Sequence, residues 1–391
     1  FDTATILLVF LLGASVFGRR VGLLGALLYA LAVLPTQLAH FWTMDPYLTF
    51  FGTLTLLLSV RWLRSVGLSS WVYAAGIGLS LGLAGACKVN GAVFAVAPVS
   101  ALGLRMAIRH QPKLRLTYRG MVASPVLKPQ PWEWATDISM LCMAAAIALL
   151  VFRVAQPYAF TGPHIWDMSF NKQWWEDIQR ERDFQKGNAD YPPFVQFAGT
   201  TPFLTPLKNI VLWGLGPTLG LAGFAGLMFA GYRLFKRREV SLALPLIFAL
   251  AIFGFQGPRF VAFMRYFDPM YPMLALFAAW ALLSLAAAPA VVRSRTALVE
   301  TTGGWREKVR TRTHSAWQRP WVRWAPLAVV LVATTWWAMA FQSVYSQEHP
   351  RITASRWIYD NVPQNSKITG EIWDDTIPYA IPGQSGGYRI V

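Results

Sequence analysis

Apolar runs of about 17–25 residues recur along nearly the whole chain, separated by short polar joints, and this repetition constrains the fold more than any motif does. Each run is long enough to cross about 30 Å of hydrocarbon as a helix, and helices are required because lipid offers the backbone no hydrogen-bonding partners. Ten spans are expected, roughly 2–17, 21–42, 47–63, 70–87, 90–107, 136–154, 209–235, 240–257, 268–292 and 324–345. The expected fold is an all-α polytopic membrane protein built as one bundle. With 55% hydrophobic and only 14% charged residues over 391 positions, the chain lacks the balance of a soluble protein.

The expected organisation is 1–154 with six spans, 155–208 as an external loop, 209–345 with four spans, and 346–391 as an external tail. The chain opens at Phe1 inside an apolar run and stops at Val391 in mid-segment, so both ends are expected to be incomplete and the tail to be the start of a longer segment.

A net charge of +16 raises the question of a nucleic-acid partner, and the position of the charge answers it. Threading the spans alternately places Arg19, Arg20, Arg61, Arg64, the 105–128 loop, the Arg233–Arg238 cluster and the 293–323 loop on one face. That face carries about +17 and the opposite face about −1, so the positive-inside rule makes the first cytoplasmic. Topology and attraction to anionic lipid explain the charge, and no base-stacking motif accompanies it; nucleic acid is not an expected partner. The basic loops 105–133 and 293–323 read as solvated or lipid-facing connectors. Cys87 and Cys142 fall inside spans and read as small core residues, with neither a disulfide nor a metal site.

Chemistry on the outer side belongs to the external loop, the tail and the external helix ends. In the loop, Trp166, Phe170, Trp174 and Ile178 recur every four residues, with Lys172, Glu176, Asp177, Arg180 and Glu181 between them. This predicts an amphipathic helix over 165–184, lying in the plane of the interface and bordering the acceptor entrance.

Asp45 is the one acidic residue between two closely spaced spans on that side, in His40-Phe-Trp-Thr-Met-Asp45-Pro-Tyr. A carboxylate held there either caps a helix, with Pro46 in the first turn, or takes part in function. Lys88 sits in the tight turn after the fourth span, and Arg259 and Arg265 flank the joint Gly257-Pro-Arg-Phe-Val-Ala-Phe-Met-Arg-Tyr266. Cations at this depth suit a lipid phosphate; the plainer alternative is snorkelling, or pairing with Asp268.

From these residues outward the sequence resembles the dolichyl-phosphate-mannose–protein mannosyltransferases and their prokaryotic polyprenyl-phosphate-sugar relatives, membrane glycosyltransferases of the GT-C type. The resemblance is carried by Gly18-Arg-Arg, Gln37-Leu-Ala-His-Phe-Trp-Thr-Met-Asp45, Gly85-Ala-Cys-Lys88 and Gln156-Pro-Tyr-Ala-Phe-Thr-Gly-Pro163. Asn209 through Pro217, Arg265-Tyr-Phe-Asp-Pro-Met-Tyr-Pro272, His349 through Tyr359 and Glu371 through Asp375 continue it.

The resemblance implies an enzyme that moves a sugar from a polyprenyl phosphate carrier to a protein, lipid or glycan acceptor on the external face, with inversion at the anomeric carbon. The lipid-linked sugar is then a substrate and no cofactor is implied. An acceptor hydroxyl needs a carboxylate, and the phosphate leaving group needs a cation. Asp45 matches the family's second external acidic position, a supporting one, and the principal acid is expected upstream of Phe1. His40, Lys88, Arg259, Arg265 and Tyr266 are the candidate substrate-binding residues, with no metal ligands. A prokaryotic plasma membrane is favoured over endoplasmic reticulum. The alternatives are a non-catalytic subunit or scaffold of a membrane complex, and a transporter; no internal repeat or mid-membrane charge supports the transporter.

Overall fold

The computed structural model describes residues 1–110, 133–187, 192–296, 320–370, 375–384 and 387–391. Most of the two basic connectors and the start of the Glu371 motif lie outside the described residues. The described chain is helical apart from loops and one pair of two-residue parallel strands, β1 (Lys367–Ile368) and β2 (Arg389–Ile390).

The first half runs through α1 (Asp2–Val16), α2 (Arg19–Ala30), α3 (Val33–Ala39), α4 (Asp45–Arg64), α5 (Leu68–Cys87), α6 (Val96–His110) and α7 (Glu133–Ala155). After the loop helix α8 (Lys172–Lys186) come α9 (Leu204–Asn209), α10 (Pro217–Arg237), α11 (Ala243–Gln256) and α12 (Tyr271–Thr296). Helices α13 (Pro320–Gln342) and α14 (Pro350–Asn361) follow.

Six described helices are long and apolar enough to cross a membrane, or seven if the bent pair α2 and α3 counts as one span. The expected ten spans are therefore not reached. Asp2–Val16 and Val240–Gln256 are apolar but shorter than a full crossing. The expected span 21–42 is broken by a bend of 60°. Pro35 accounts for the break: it has no N–H for the Leu31 carbonyl, and its ring would clash with that carbonyl in a continuous helix.

Helix α12 forms the centre. Tyr271 through Ala279 are all buried, and α12 packs against α2, α10 and α13. Outside the core, Leu7, Leu150, Leu221, Met228, Val332 and Trp336 are exposed, leaving apolar outer faces suited to lipid. Cys142 is one of these outward-facing residues and not a core thiol, while Cys87 is partly buried.

Small residues let α5 and α7 approach closely. Gly78 and Gly82 of α5 lie against the Ala144 and Ala148 carbonyls of α7, four residues apart on both helices. A Cβ at Gly82 would sit 2.6 Å from the Ala148 oxygen, and backbone cannot move aside as a side chain can. Gly82→Val is expected to cost about 1–3 kcal/mol by thermal unfolding. Gly103→Ala on α6, where nothing lies within 4 Å of an added Cβ, should be neutral or mildly stabilising.

The contacts also order the helix ends. Lys88, ending α5, meets Asp45, starting α4. At the other end of α4, Arg105 of α6 pairs with Asp137 of α7 at 2.9 Å and donates to the Trp62 and Ser65 carbonyls. Arg105 is therefore not a solvated connector residue: it is 2% exposed because the end of α4 and the start of α7 close around it.

Candidate active site

Helix α4 begins at Asp45 itself, with Pro46 in its first turn and no side chain capping its amides. The Asp45 side chain, only 4% exposed, accepts from Lys88 Nζ at 2.9 Å on Oδ1 and faces Arg265 Nε at 4.0 Å on Oδ2. The carboxylate thus serves two cations instead of the helix end. Lys88 occupies the extended residue where α5 stops. Arg265 stands on a 3-10 turn, Met264–Met270, that leads into α12. Sequence separations of 43 and about 220 residues are closed by the antiparallel α4/α5 pair and by packing of the 3-10 turn on α4.

Tyr266, largely buried, joins the two cations. Lys88 Nζ lies 4.2 Å from its ring centroid and the Arg265 guanidinium 5.7 Å, both in cation–π range. Asp45 takes one of the three N–H donors of Lys88, so the ammonium keeps donor capacity for a ligand. Beneath this layer, Thr49, one turn after Asp45, donates to Asp268 Oδ2 at 2.5 Å, and both are buried. Asp268 is thus committed to Thr49, and Arg265 to Asp45; the pairing of Arg265 with Asp268 entertained from sequence does not form.

Arg259 is placed in a neighbouring cavity of about 840 Å³. Lys88 belongs to both groups, since it also lines this cavity. Arg259 donates to Gln185 Oε1 at 2.7 Å and to the Phe255 carbonyl at 3.2 Å. Burial and the adjacent Arg182 guanidinium draw its pKa below the ordinary arginine value. His40 is held elsewhere: its Nδ1 lies 2.8 Å from the Thr36 carbonyl and its ring stacks on Tyr345 at 4.0 Å.

The loop between α7 and α9 departs from the expected helix over 165–184. Arg153 at the end of α7 donates to the carbonyls of Gly162, His164 and Asp167, folding the following residues into a closed loop. Phe160 and Phe170 pair as an antiparallel bridge, and Trp166 stacks on His164. Asn171 then caps α8 by accepting from the Gln173 amide, so of the expected stripe only Trp174 and Ile178 are helical. Trp174 buries against Phe152 and Phe160, while Ile178, Glu181, Arg182 and Gln185 form a helical stripe facing the cavity.

Residues 3–168 match the family model described as dolichyl-phosphate-mannose-protein mannosyltransferase. That is the family the sequence resembles. The mannosyltransferase match holds His40, Asp45 and Lys88; Arg259, Arg265 and Tyr266 come from beyond it. No curated protein matches the chain by sequence.

Similar solved structures include the Archaeoglobus fulgidus oligosaccharyltransferase in the apo form, 17% identical with a TM-score of 0.48 over 92% of this chain and 46% of that one. ArnT from Cupriavidus metallidurans bound to undecaprenyl phosphate is 14% identical, with a TM-score of 0.48 over 96% of this chain and 67% of that one. The chain spans less than half the length of the archaeal protein.

Several members of the arrangement were not singled out from sequence: Thr49, Arg182, Gln185 and Lys186. The period-four pattern marks α8, and the cavity-facing stripe continues it: Arg182 follows Trp174 and Ile178 at the same spacing, with Glu181 and Gln185 on the same face.

Proposed function

We propose that the chain is a membrane glycosyltransferase that moves a sugar from a polyprenyl phosphate carrier to an acceptor hydroxyl on the external face, with inversion. The observation that carries this reading is the buried Asp45 carboxylate held between Lys88 and Arg265 beside a cavity that Lys88 also lines. In such a transfer the acceptor oxygen bonds to the anomeric carbon as the bond to the carrier phosphate breaks. The acceptor proton passes to a base and the bonding electrons to a phosphate oxygen. Lys88 and Arg265 neutralise that oxygen, and Asp45 is the supporting acid that holds both cations at one place. The partial match to the mannosyltransferase family supports the same donor chemistry.

Sugar release from a polyprenyl-phosphate sugar by the purified chain in lipid vesicles tests the reading. Asp45→Asn keeps the shape but removes the charge that fixes the two cations, and is expected to lower kcat about tenfold with a smaller change in donor KM. An unchanged kcat would leave Asp45 a structural ion-pair partner and favour a non-catalytic subunit.

The external assignment has its own check. In a cysteine-free background, a single cysteine at exposed Glu176 should react with an impermeant maleimide from outside. One at exposed Arg237 should react only after the membrane is opened. Labelling of both from the same side would overturn the orientation.

A further inference from the structure

The cavity beside Asp45 holds more positive charge than a single carrier phosphate calls for. Lys88, Arg182, Lys186 and Arg259 line it, against one lining carboxylate, Glu181, which itself accepts from Gln185 at 3.1 Å. This surplus lies on the face whose overall charge is about −1, so it is a local concentration and not part of the cytoplasmic excess.

Charges on a helix are ordinarily solvated or paired one turn away, and α8 does this on its outer side, where Lys172 pairs with Glu176 and Arg180 with Asp177. Its cavity side differs: among the described residues neither Arg182 nor Lys186 has a hydrogen-bond or ion-pair partner. Arg259, anchored by Gln185 and partly buried, is held close enough to Arg182 for the two guanidiniums to repel. An anion seated between them relieves that repulsion. Lys88 and Arg265, by contrast, already share Asp45. Two cationic groups with different counter-charges therefore stand side by side, and a cavity of about 840 Å³ has room for a head group beside the reacting sugar. Helix α8 and the joint carrying Arg259 lie beyond residues 3–168, so this second group belongs to the chain outside the family match.

We propose that Arg182, Lys186 and Arg259 form an anion subsite for the acceptor, and that the acceptor carries a phosphate group close to the hydroxyl that receives the sugar. The assignment rests on the polyprenyl-phosphate glycosyltransferase reading. The planar guanidiniums of Arg182 and Arg259 suit paired phosphate oxygens, and Lys186 adds a mobile point charge.

The test uses the full chain in nanodiscs of zwitterionic phosphatidylcholine, saturated with a short-chain polyprenyl phosphate and then titrated with inorganic phosphate. Wild-type protein should bind phosphate under these conditions. The double variant Arg182→Gln/Lys186→Gln, at exposed positions that leave the fold intact, should bind it about tenfold or more weakly, with polyprenyl phosphate affinity kept within about twofold. Arg259→Lys should retain part of the phosphate affinity. Repeating the titration with phosphatidic acid in the nanodisc separates the sources: displacement of inorganic phosphate identifies a lipid-borne phosphate, and no displacement a soluble one. Absence of phosphate binding to the polyprenyl-phosphate-saturated protein, or equal loss of both ligands in the double variant, would overturn the second subsite. Failure of polyprenyl phosphate to bind the wild type, with phosphate binding still dependent on Arg182 and Lys186, would instead sink the donor reading and leave the anion subsite standing.

Discussion

Asp137→Ala should be the most destabilising single change in the described bundle, costing about 3–5 kcal/mol, because it leaves the Arg105 guanidinium buried without its counter-charge. Arg105 and Asp137 are 2% and 1% exposed. The guanidinium is fully engaged: two nitrogens on Asp137 Oδ1 at 2.9 and 3.1 Å, a third on the carbonyls that end α4, and its face over the Trp62 ring at 5.2 Å. Against a typical total stability of about 5–15 kcal/mol, a loss of this size removes much of the folded population. Thermal unfolding in detergent checks it, with Asp137→Asn as the milder companion because the amide oxygen still accepts. A paired Arg105→Met/Asp137→Leu change should recover much of the loss, since two apolar side chains carry no desolvation penalty. The pair lies at the far end of α4 from Asp45, roughly 28 Å away at 1.5 Å per residue, so the surviving Asp137→Asn protein should keep donor affinity. Equal stability of Asp137→Ala and wild type would mean that the α4, α6 and α7 ends do not close as described.

The second large effect is on the donor. Lys88→Ala and Arg265→Ala are each expected to weaken binding of a polyprenyl phosphate by about ten- to a hundredfold, since each removes a charge-assisted contact worth about 1.5–3 kcal/mol. The two changes should not behave alike otherwise. Lys88 is 27% exposed and makes the shorter bond to Asp45, so its loss also strands a nearly buried carboxylate and should lower thermal stability. Arg265 is 44% exposed and 4.0 Å from Asp45, so its loss should spare stability and fall on the ligand. Arg265→Lys restores the charge without the planar fork and should recover part of the affinity. Donor titration and thermal unfolding on the same preparations separate the effects. Variants that lose stability but bind donor normally would show that the cations serve the bundle alone.

How far the sequence reached depends on whether a feature is local. The helical, membrane character was legible because hydropathy is a property of each segment; the break ahead of Val33 was missed because hydropathy runs through Pro35 without interruption. Asp45, Lys88 and Arg265 were legible as a group because all three sit at helix ends that alternate threading puts on one face. What the sequence did not reveal were the long-range pairs, both around that group and at the far end of α4. Thr49 with Asp268 spans 219 residues, Arg259 with Gln185 spans 74, and Arg105 with Asp137 spans 32, and no periodicity announces such pairs. Arg105 was misplaced for this reason: in a run rich in Arg and Lys, nothing in the sequence separates a buried cation from a solvated one. The start of α8 was missed because a period of four through Trp166 and Phe170 was taken as helix, whereas Arg153, with its three carbonyl acceptors, folds that stretch back on itself.

The central claim is that the carrier phosphate lies between Lys88 and Arg265, and an experimental structure of the full chain with polyprenyl phosphate bound in a nanodisc addresses it directly. The account predicts phosphate oxygens within hydrogen-bonding distance of Lys88 Nζ and the Arg265 guanidinium, next to Asp45. A phosphate held by Arg182, Lys186 and Arg259 with Lys88 and Arg265 closed on Asp45 alone would contradict it.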